Sequence, residues 1–180
     1  VARLVPRKGI DMAIQAMSHV FRVRGDVHYL IVGDGSYREE LEHLIVRNAL
    51  SDSVTLVGKA GDQEVVDYFR LCDLFLMPNR TMPDGDTEGF GLVFREANAC
   101  RKPVIGGRAG GVVEAVVDGV TGFLVNGNDP EEIADSILRL LRDPELAMEM
   151  GGNGLRLAHQ NNTKAVATQF ERMCIRVLNN

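Results

Sequence analysis

Short apolar runs alternate with amphipathic helical patterns along the whole sequence. Each run is four to six residues long and continuously apolar, which is typical of a strand buried on both faces of a parallel sheet. The predicted strands cover 27–32, 54–57, 74–77, 103–106 and 122–125. The predicted helices cover 8–24, 37–49, 62–71, 91–100 and 112–117, and three more begin after Asp129, Asp143 and Asn162. This alternation predicts an α/β fold, a Rossmann-like parallel sheet flanked by helices.

Length and charge bound the organisation and the partners. The chain has 180 residues, the size of one domain. Residues 1–5 resemble the end of a strand already under way, so we expect a single domain, 1–180, excised from a longer protein. The net charge of −5 argues against a nucleic acid partner. No apolar run approaches the ~20 residues of a membrane helix, which predicts a cytoplasmic protein, either free or peripheral to a membrane.

Two glutamates eight residues apart flank a glycine-rich turn into a predicted helix. Helical rise places Glu88 and Glu96 at most ~12 Å apart, about the length of a sugar nucleotide. Backbone amides near 90–93 would lie between them at a helix N-terminus, where a phosphate binds well. The carboxylates can accept hydrogen bonds from hydroxyl groups on ribose and sugar. Alternatively, Glu88 only caps the helix and Glu96 is an exposed helical residue.

Basic residues cluster in the loop between the first predicted strand and the first predicted helix. Arg3 lies at the predicted strand end and Lys8 at the start of a helix, so two cations and a helix dipole converge. A diphosphate leaving group needs this arrangement because it gains negative charge as its bond to the sugar breaks. By itself the pattern is weak, because basic residues at a helix start are usually solvated.

The motifs RLVPRKG, IVGDG, CDLFLMPNR, EGFGLVFREA and AGGVVEAVVDGVTGFLV together resemble the C-terminal domain of GT-B-fold retaining glycosyltransferases of family four. The resemblance is collinear over essentially the whole chain, and the 77–100 loop is most similar to phosphatidylinositol mannosyltransferases that use GDP-mannose. It implies a nucleotide-sugar donor, with no other cofactor and no metal. It also implies a sugar or lipid acceptor, bound mainly by an N-terminal domain that this chain lacks.

The resemblance also implies a role for each motif residue. Arg3 and Lys8 match the pair that holds the donor diphosphate, and Glu88 matches the glutamate beside the donor sugar. The turn whose amides contact sugar and phosphate matches Gly89, Phe90, Gly91 and Leu92, and Glu96 matches the glutamate that holds ribose. Gly33, Lys59 and Asp62 lie where the base and ribose pocket would be. Asp62 can accept hydrogen bonds from guanine, which would favour GDP over UDP, or cap the helix that it begins.

Other interpretations remain open from the residues alone. A UDP-sugar donor, a non-catalytic binding module and a GT-B epimerase are alternatives to the mannosyltransferase, although the epimerase class lacks the spaced glutamates. Residues 33–36 lack the third glycine of a dinucleotide fingerprint, and 84–86 lack the ligands of a calcium loop. The glycine-rich 106–111 segment is either a phosphate cradle, with Arg108 as a basic candidate, or a tight loop. The three cysteines predict buried packing rather than a disulfide or zinc site.

Overall fold

The computed structural model describes residues 1–160, and it confirms the predicted α/β class. The strands are β1 (Tyr29–Val32), β2 (Val54–Gly58), β3 (Phe75–Met77), β4 (Val104–Gly107) and β5 (Gly122–Val125). The helices are α1 (Ile10–Val23), α2 (Arg38–Arg47), α3 (Asp62–Leu71), α4 (Leu92–Ala99), α5 (Val112–Ala115), α6 (Pro130–Arg142) and α7 (Pro144–Gln160). A 3₁₀ turn, Pro6–Lys8, precedes α1, so the first helix begins two residues later than predicted. The helix predicted after Asn162 lies outside the described residues.

All strand pairs between residues 1 and 160 are parallel. One piece of sheet pairs β1 with β2, and a second has the order β3-β4-β5. Val104 faces both Phe75 and Gly122 across the second piece, which places β4 at its centre. Residues 1–4 run beside the end of β1, where the Ala2 N–H donates to the Val32 carbonyl at 2.9 Å and the Leu4 N–H donates to the Asp34 carbonyl at 3.0 Å.

A cleft separates the two pieces of sheet. Its volume is about 490 Å³, and it is lined by β1, β3, Val1 and the residues that precede each strand. β1 pairs with β2 alone and β3 with β4 alone among the named strands of the described chain, so both strands turn an edge towards the cleft.

Two apolar clusters cover opposite faces of the sheet. The larger cluster joins α1, α2 and α6, with Ile14, Leu41 and Ile133 fully buried. The smaller one joins α3 and α4, where the Phe69, Phe75 and Phe94 rings stack edge to face. With helices on both faces, the polar loops that follow the strands collect at one edge, which is where parallel α/β folds bind ligands. Within residues 1–160, no helix is long and apolar enough to cross a membrane.

Candidate functional site

Lys8 is placed by the turn that precedes α1. Pro6 opens this 3₁₀ turn, and Gly9 ends it in the left-handed region with φ 68°. A Cβ on Gly9 would lie 1.9 Å from the Pro78 carbonyl oxygen, so glycine lets this turn pack against the segment after β3. Lys8 is buried as a result, and the expectation that a basic residue here is solvated is wrong for it.

Glu88 forms an ion pair with Lys8. Its Oε2 accepts from the Lys8 ammonium and, at 3.3 Å, from Asn79 Nδ2. The side chains of Lys8 and Glu88 are only 11% and 13% exposed, so water screens this pair poorly. Glu88 is therefore not the cap of α4, because Gly91 occupies that position. The structure brings together a cation and a carboxylate that lie 80 residues apart.

Arg3 is an unpaired cation at this edge of the described chain. Its side chain is exposed, and it makes no hydrogen bond or ion pair with any part of the chain that the structure describes. The backbone on both sides of it is fixed by the hydrogen bonds of Ala2 and Leu4 to the end of β1. The Arg3 backbone is thus fixed and its guanidinium is free, which is the arrangement expected of a group that binds an external anion.

Two further ion pairs fasten the loop between β3 and α4 to the start of α1. Arg7 contacts Asp86 at 3.0 Å, and Arg80 contacts Asp11 at 2.8 Å in a nearly buried pair. Tyr37 donates to Asp11 at 3.5 Å, and burial together with the Asp11 carboxylate raises the pKa of the Tyr37 hydroxyl. Sequence reasoning missed the roles of these residues, because their partners are distant in sequence.

The start of α4 exposes backbone donors beside Glu88. Gly91 is the N-cap with φ 78°, and the Leu92 and Val93 N–H groups lie in the first turn, where no intrahelical acceptor exists. Leu92 is 68% exposed, and Glu96, four residues on, is exposed on the same helical face. The spacing therefore presents two free amides, an apolar side chain and a carboxylate along one surface.

Phe90 and Gly89 form the turn before α4. Gly89 is exposed, and Phe90 packs against the smaller apolar cluster with the Arg95 guanidinium 5.9 Å from its ring centroid. Burial lowers the pKa of Arg95. The Gly89 carbonyl leaves no room for a Cβ on Gly111, which would lie 1.9 Å from it. The glycine-rich 106–111 segment thus packs tightly against this turn.

Arg108, the basic candidate of that segment, turns away from it. Its guanidinium donates to the Leu124 carbonyl at 2.7 Å and lies 3.7 Å from the Asp118 carboxylate. The tight-loop interpretation of 106–111 fits these contacts.

The candidates for the base and ribose pocket follow β1 and β2. Gly33 has φ 136°, and a Cβ there would lie 1.8 Å from the Ala2 carbonyl oxygen, so this glycine is required by packing. Lys59 and Asp62 are both exposed. Asp62 is the first residue of α3, but Gly61 is the cap residue, and the Gly61 N–H donates to Glu64 at 2.7 Å. Asp62 makes no capping hydrogen bond, and its role in base binding stays a prediction.

The acidic 84–86 segment is folded by its own hydrogen bonds. The Asp86 N–H donates to Asp84 Oδ1 at 3.0 Å, and the Met82 N–H donates to the Asp86 carbonyl at 2.8 Å. No group of three His, Cys, Asp or Glu residues in the described chain is arranged to hold a metal. Cys72 and Cys100 are only half-buried, contrary to the prediction of full burial, and Cys174 lies outside the described residues.

Fold and site together define a parallel α/β domain whose carboxyl edge carries a buried lysine–glutamate pair, a free arginine and open helix amides. A family model described as "Glycosyl transferases group 1" matches residues 1–156. The chain belongs to this glycosyltransferase family.

Three comparisons describe its relatives. The chain is 40% identical, over 89% of its length, to a GDP-mannose-dependent alpha-(1-6)-phosphatidylinositol monomannoside mannosyltransferase from Mycolicibacterium smegmatis. It resembles Anabaena HepE in complex with UDP, with a TM-score of 0.83 and 29% identity over 99% of this chain and 47% of that one. It also resembles sucrose-phosphate synthase from Thermosynechococcus elongatus, with a TM-score of 0.85 and 30% identity over 99% of this chain and 44% of that one. The chain spans 42% of the length of the mycobacterial relative.

Proposed function

We propose that this chain is the donor-binding domain of a retaining glycosyltransferase that transfers a hexose, mannose from GDP-mannose, to a lipid or glycan acceptor. The observation that carries the proposal is the buried Lys8–Glu88 pair beside the open amides of α4. Lys8 and Arg3 supply positive charge where a diphosphate would rest, and Glu88 supplies an acceptor for sugar hydroxyls. Glu96 lies one turn further along α4, where it can accept the ribose hydroxyls.

The proposed reaction breaks the bond between the anomeric carbon and the diphosphate. The leaving diphosphate takes the bonding electrons, and its growing charge is stabilised by Arg3, Lys8 and the first-turn amides of α4. The acceptor hydroxyl attacks from the same face and passes its proton to the departing phosphate oxygen, so the anomeric configuration is retained. In this scheme Lys8 contacts both Glu88 and phosphate, which links the position of the sugar to that of the leaving group.

Two donor nucleotides, GDP and UDP, are candidates, and each is supported by a relative. The mycobacterial relative is a GDP-mannose-dependent enzyme, whereas the HepE structure holds UDP. Asp62 is exposed and free of any capping hydrogen bond, so it is available to accept from guanine N–H groups that uracil lacks. This availability is why we propose GDP-mannose first and a UDP-sugar second.

The acceptor and the rest of the catalytic centre are proposed to lie in an N-terminal domain joined in cis. The relatives are more than twice as long as this chain, since it covers 42% of the mycobacterial enzyme and 47% of HepE. We expect the 180-residue chain to bind donor weakly and to transfer nothing by itself. A non-catalytic binding module remains the alternative, and it would show neither donor selectivity nor dependence on Glu88.

Calorimetric titration of the 180-residue chain with GDP, UDP, GDP-mannose and UDP-glucose, with and without Mg²⁺, tests this proposal. We expect measurable binding, tighter for GDP and GDP-mannose than for UDP and UDP-glucose. Arg3→Ala and Glu96→Ala should each lower the affinity at least tenfold and leave thermal stability unchanged. Preference for uridine would overturn the mannose assignment and keep the class. Equal binding of both variants and wild type would place the donor elsewhere.

A further inference from the structure

Asn79 is held in place by two glycines, one at the end of β4 and one in the loop after β5. It follows β3 by two residues, is fully buried, and its N–H donates to the Met77 carbonyl at 2.9 Å. A Cβ on Gly107 would lie 1.7 Å from the Asn79 carbonyl oxygen, and one on Gly127 would lie 2.2 Å from it. The end of β4 and the loop that follows β5 therefore press directly on the Asn79 backbone, which fixes the position of its Cα and Cβ.

The orientation of the Asn79 amide follows from its neighbour. Nδ2 lies 3.3 Å from Glu88 Oε2, and a reversed amide would place Oδ1 against this carboxylate oxygen instead. Oδ1 itself is buried and has no hydrogen-bond partner. An unpartnered buried oxygen is unfavourable, and an apolar side chain of similar size would avoid it. The contact that the amide does make, with Glu88, is what distinguishes asparagine from such a residue.

The two oxygens of Glu88 have different surroundings. Oε2 accepts from both Lys8 and Asn79, whereas Oε1 accepts no hydrogen bond from residues 1–160. A carboxylate held at one oxygen by two donors cannot rotate freely, so its other oxygen has a defined position. A single oriented acceptor selects a hydroxyl group at one place on a sugar ring.

We propose that Asn79 is a positioning residue that holds Glu88 Oε2 beside Lys8 and so reserves Oε1 for a hydroxyl of the donor sugar. This inference rests on the proposed function. It assigns part of the sugar selectivity to a residue that does not itself contact the donor.

The test replaces the amide by a carboxylate of the same shape. Asn79→Asp places a second carboxylate against Glu88, and two adjacent carboxylates repel unless they share a proton. We expect at least a tenfold loss of nucleotide-sugar affinity relative to wild type at pH 8, shrinking as the pH is lowered to 5. Adding Glu88→Gln to Asn79→Asp removes the repulsion, and the difference between pH 8 and pH 5 should disappear. The readout is calorimetric titration with GDP-mannose and UDP-glucose at each pH.

Asn98→Asp is the matched control. Asn98 is also fully buried, donates to a backbone carbonyl, Lys102 at 3.1 Å, and has an unpartnered Oδ1, but it faces α7 rather than Glu88. We expect this variant to lower thermal stability and to leave the pH profile of affinity unchanged. If Asn79→Asp bound donor with wild-type affinity, or if both variants showed the same pH profile of affinity, this inference would fail and the proposed function would stand. If the wild-type chain binds neither donor, the proposed function and this inference both fail.

Discussion

At the scale of single residues, ion pairs organise the candidate site. Lys8 is paired with Glu88, Arg7 with Asp86 and Arg80 with Asp11, each across more than 60 residues of sequence. Arg3 alone among these four cations lacks a partner within residues 1–160. An incoming diphosphate therefore meets one free arginine at once and must share Lys8 with Glu88. A lysine ammonium has three donors, which allows such sharing.

The Lys8–Glu88 pair should be strongly coupled in folding. Lys8→Met leaves the Glu88 carboxylate with Asn79 as its remaining donor in a site that water barely reaches, and breaking a buried pair costs ~3 kcal/mol or more. Glu88→Gln leaves the lysine uncompensated in the same way. We expect the double variant to lose clearly less than the sum of the single losses, measured as the free energy of unfolding in urea.

The exposed pair of Arg70 and Asp67 gives the matching control cycle. Both side chains are more than 60% exposed, and their atoms lie 3.4 Å apart. Arg70→Met and Asp67→Asn should show a coupling of about 0.5 kcal/mol or less. A Lys8–Glu88 coupling as small as this would show that the pair is solvated in solution.

At the scale of elements, glycines decide how closely strand ends and loops approach one another. Gly107→Ala places a Cβ 1.7 Å from the Asn79 carbonyl, a contact that only a backbone shift relieves. We expect it to lower the free energy of unfolding by more than ~2 kcal/mol and to weaken donor binding, because Asn79 and Glu88 must move. Gly152→Ala, inside α7 with open space around it, should instead stabilise by ~0.5–1 kcal/mol. Thermal unfolding of the two variants measures the changes in stability, and calorimetric titration measures donor binding by Gly107→Ala. Equal shifts of the melting temperature with the same sign in both variants would contradict the prediction.

The elements themselves were largely predictable from local pattern. Five short apolar runs became five parallel strands, because the amphipathic helices between them cover the two faces of the sheet. The predictions were wrong at the ends of the strands and helices. The strand predicted from Val27 begins at Tyr29, and the helix predicted from Lys8 begins at Ile10, because a proline and a left-handed glycine form a 3₁₀ turn first. Hydrophobic periodicity carries no signal for such a turn.

The candidate site was predictable only in part. Glu88, Glu96 and the turn between them lie in one segment, whose glycines mark a turn and whose spacing marks a helix. The pairing of Lys8 with Glu88, and the parts played by Asn79 and Arg80, depend on which loops meet at the carboxyl edge. These contacts join residues from different loops, in two cases more than 60 positions apart, so hydrophobic periodicity does not predict them.

At the scale of the whole molecule, helix packing joins the two pieces of sheet. Among the named strands between residues 1 and 160, β1 pairs only with β2 and β3 only with β4, so no strand pairing links the pieces. The two apolar clusters lie on opposite faces of the sheet, and the larger one crosses from one sheet piece to the other through α1 and α6. Helix packing therefore holds the halves together where strand pairing is missing.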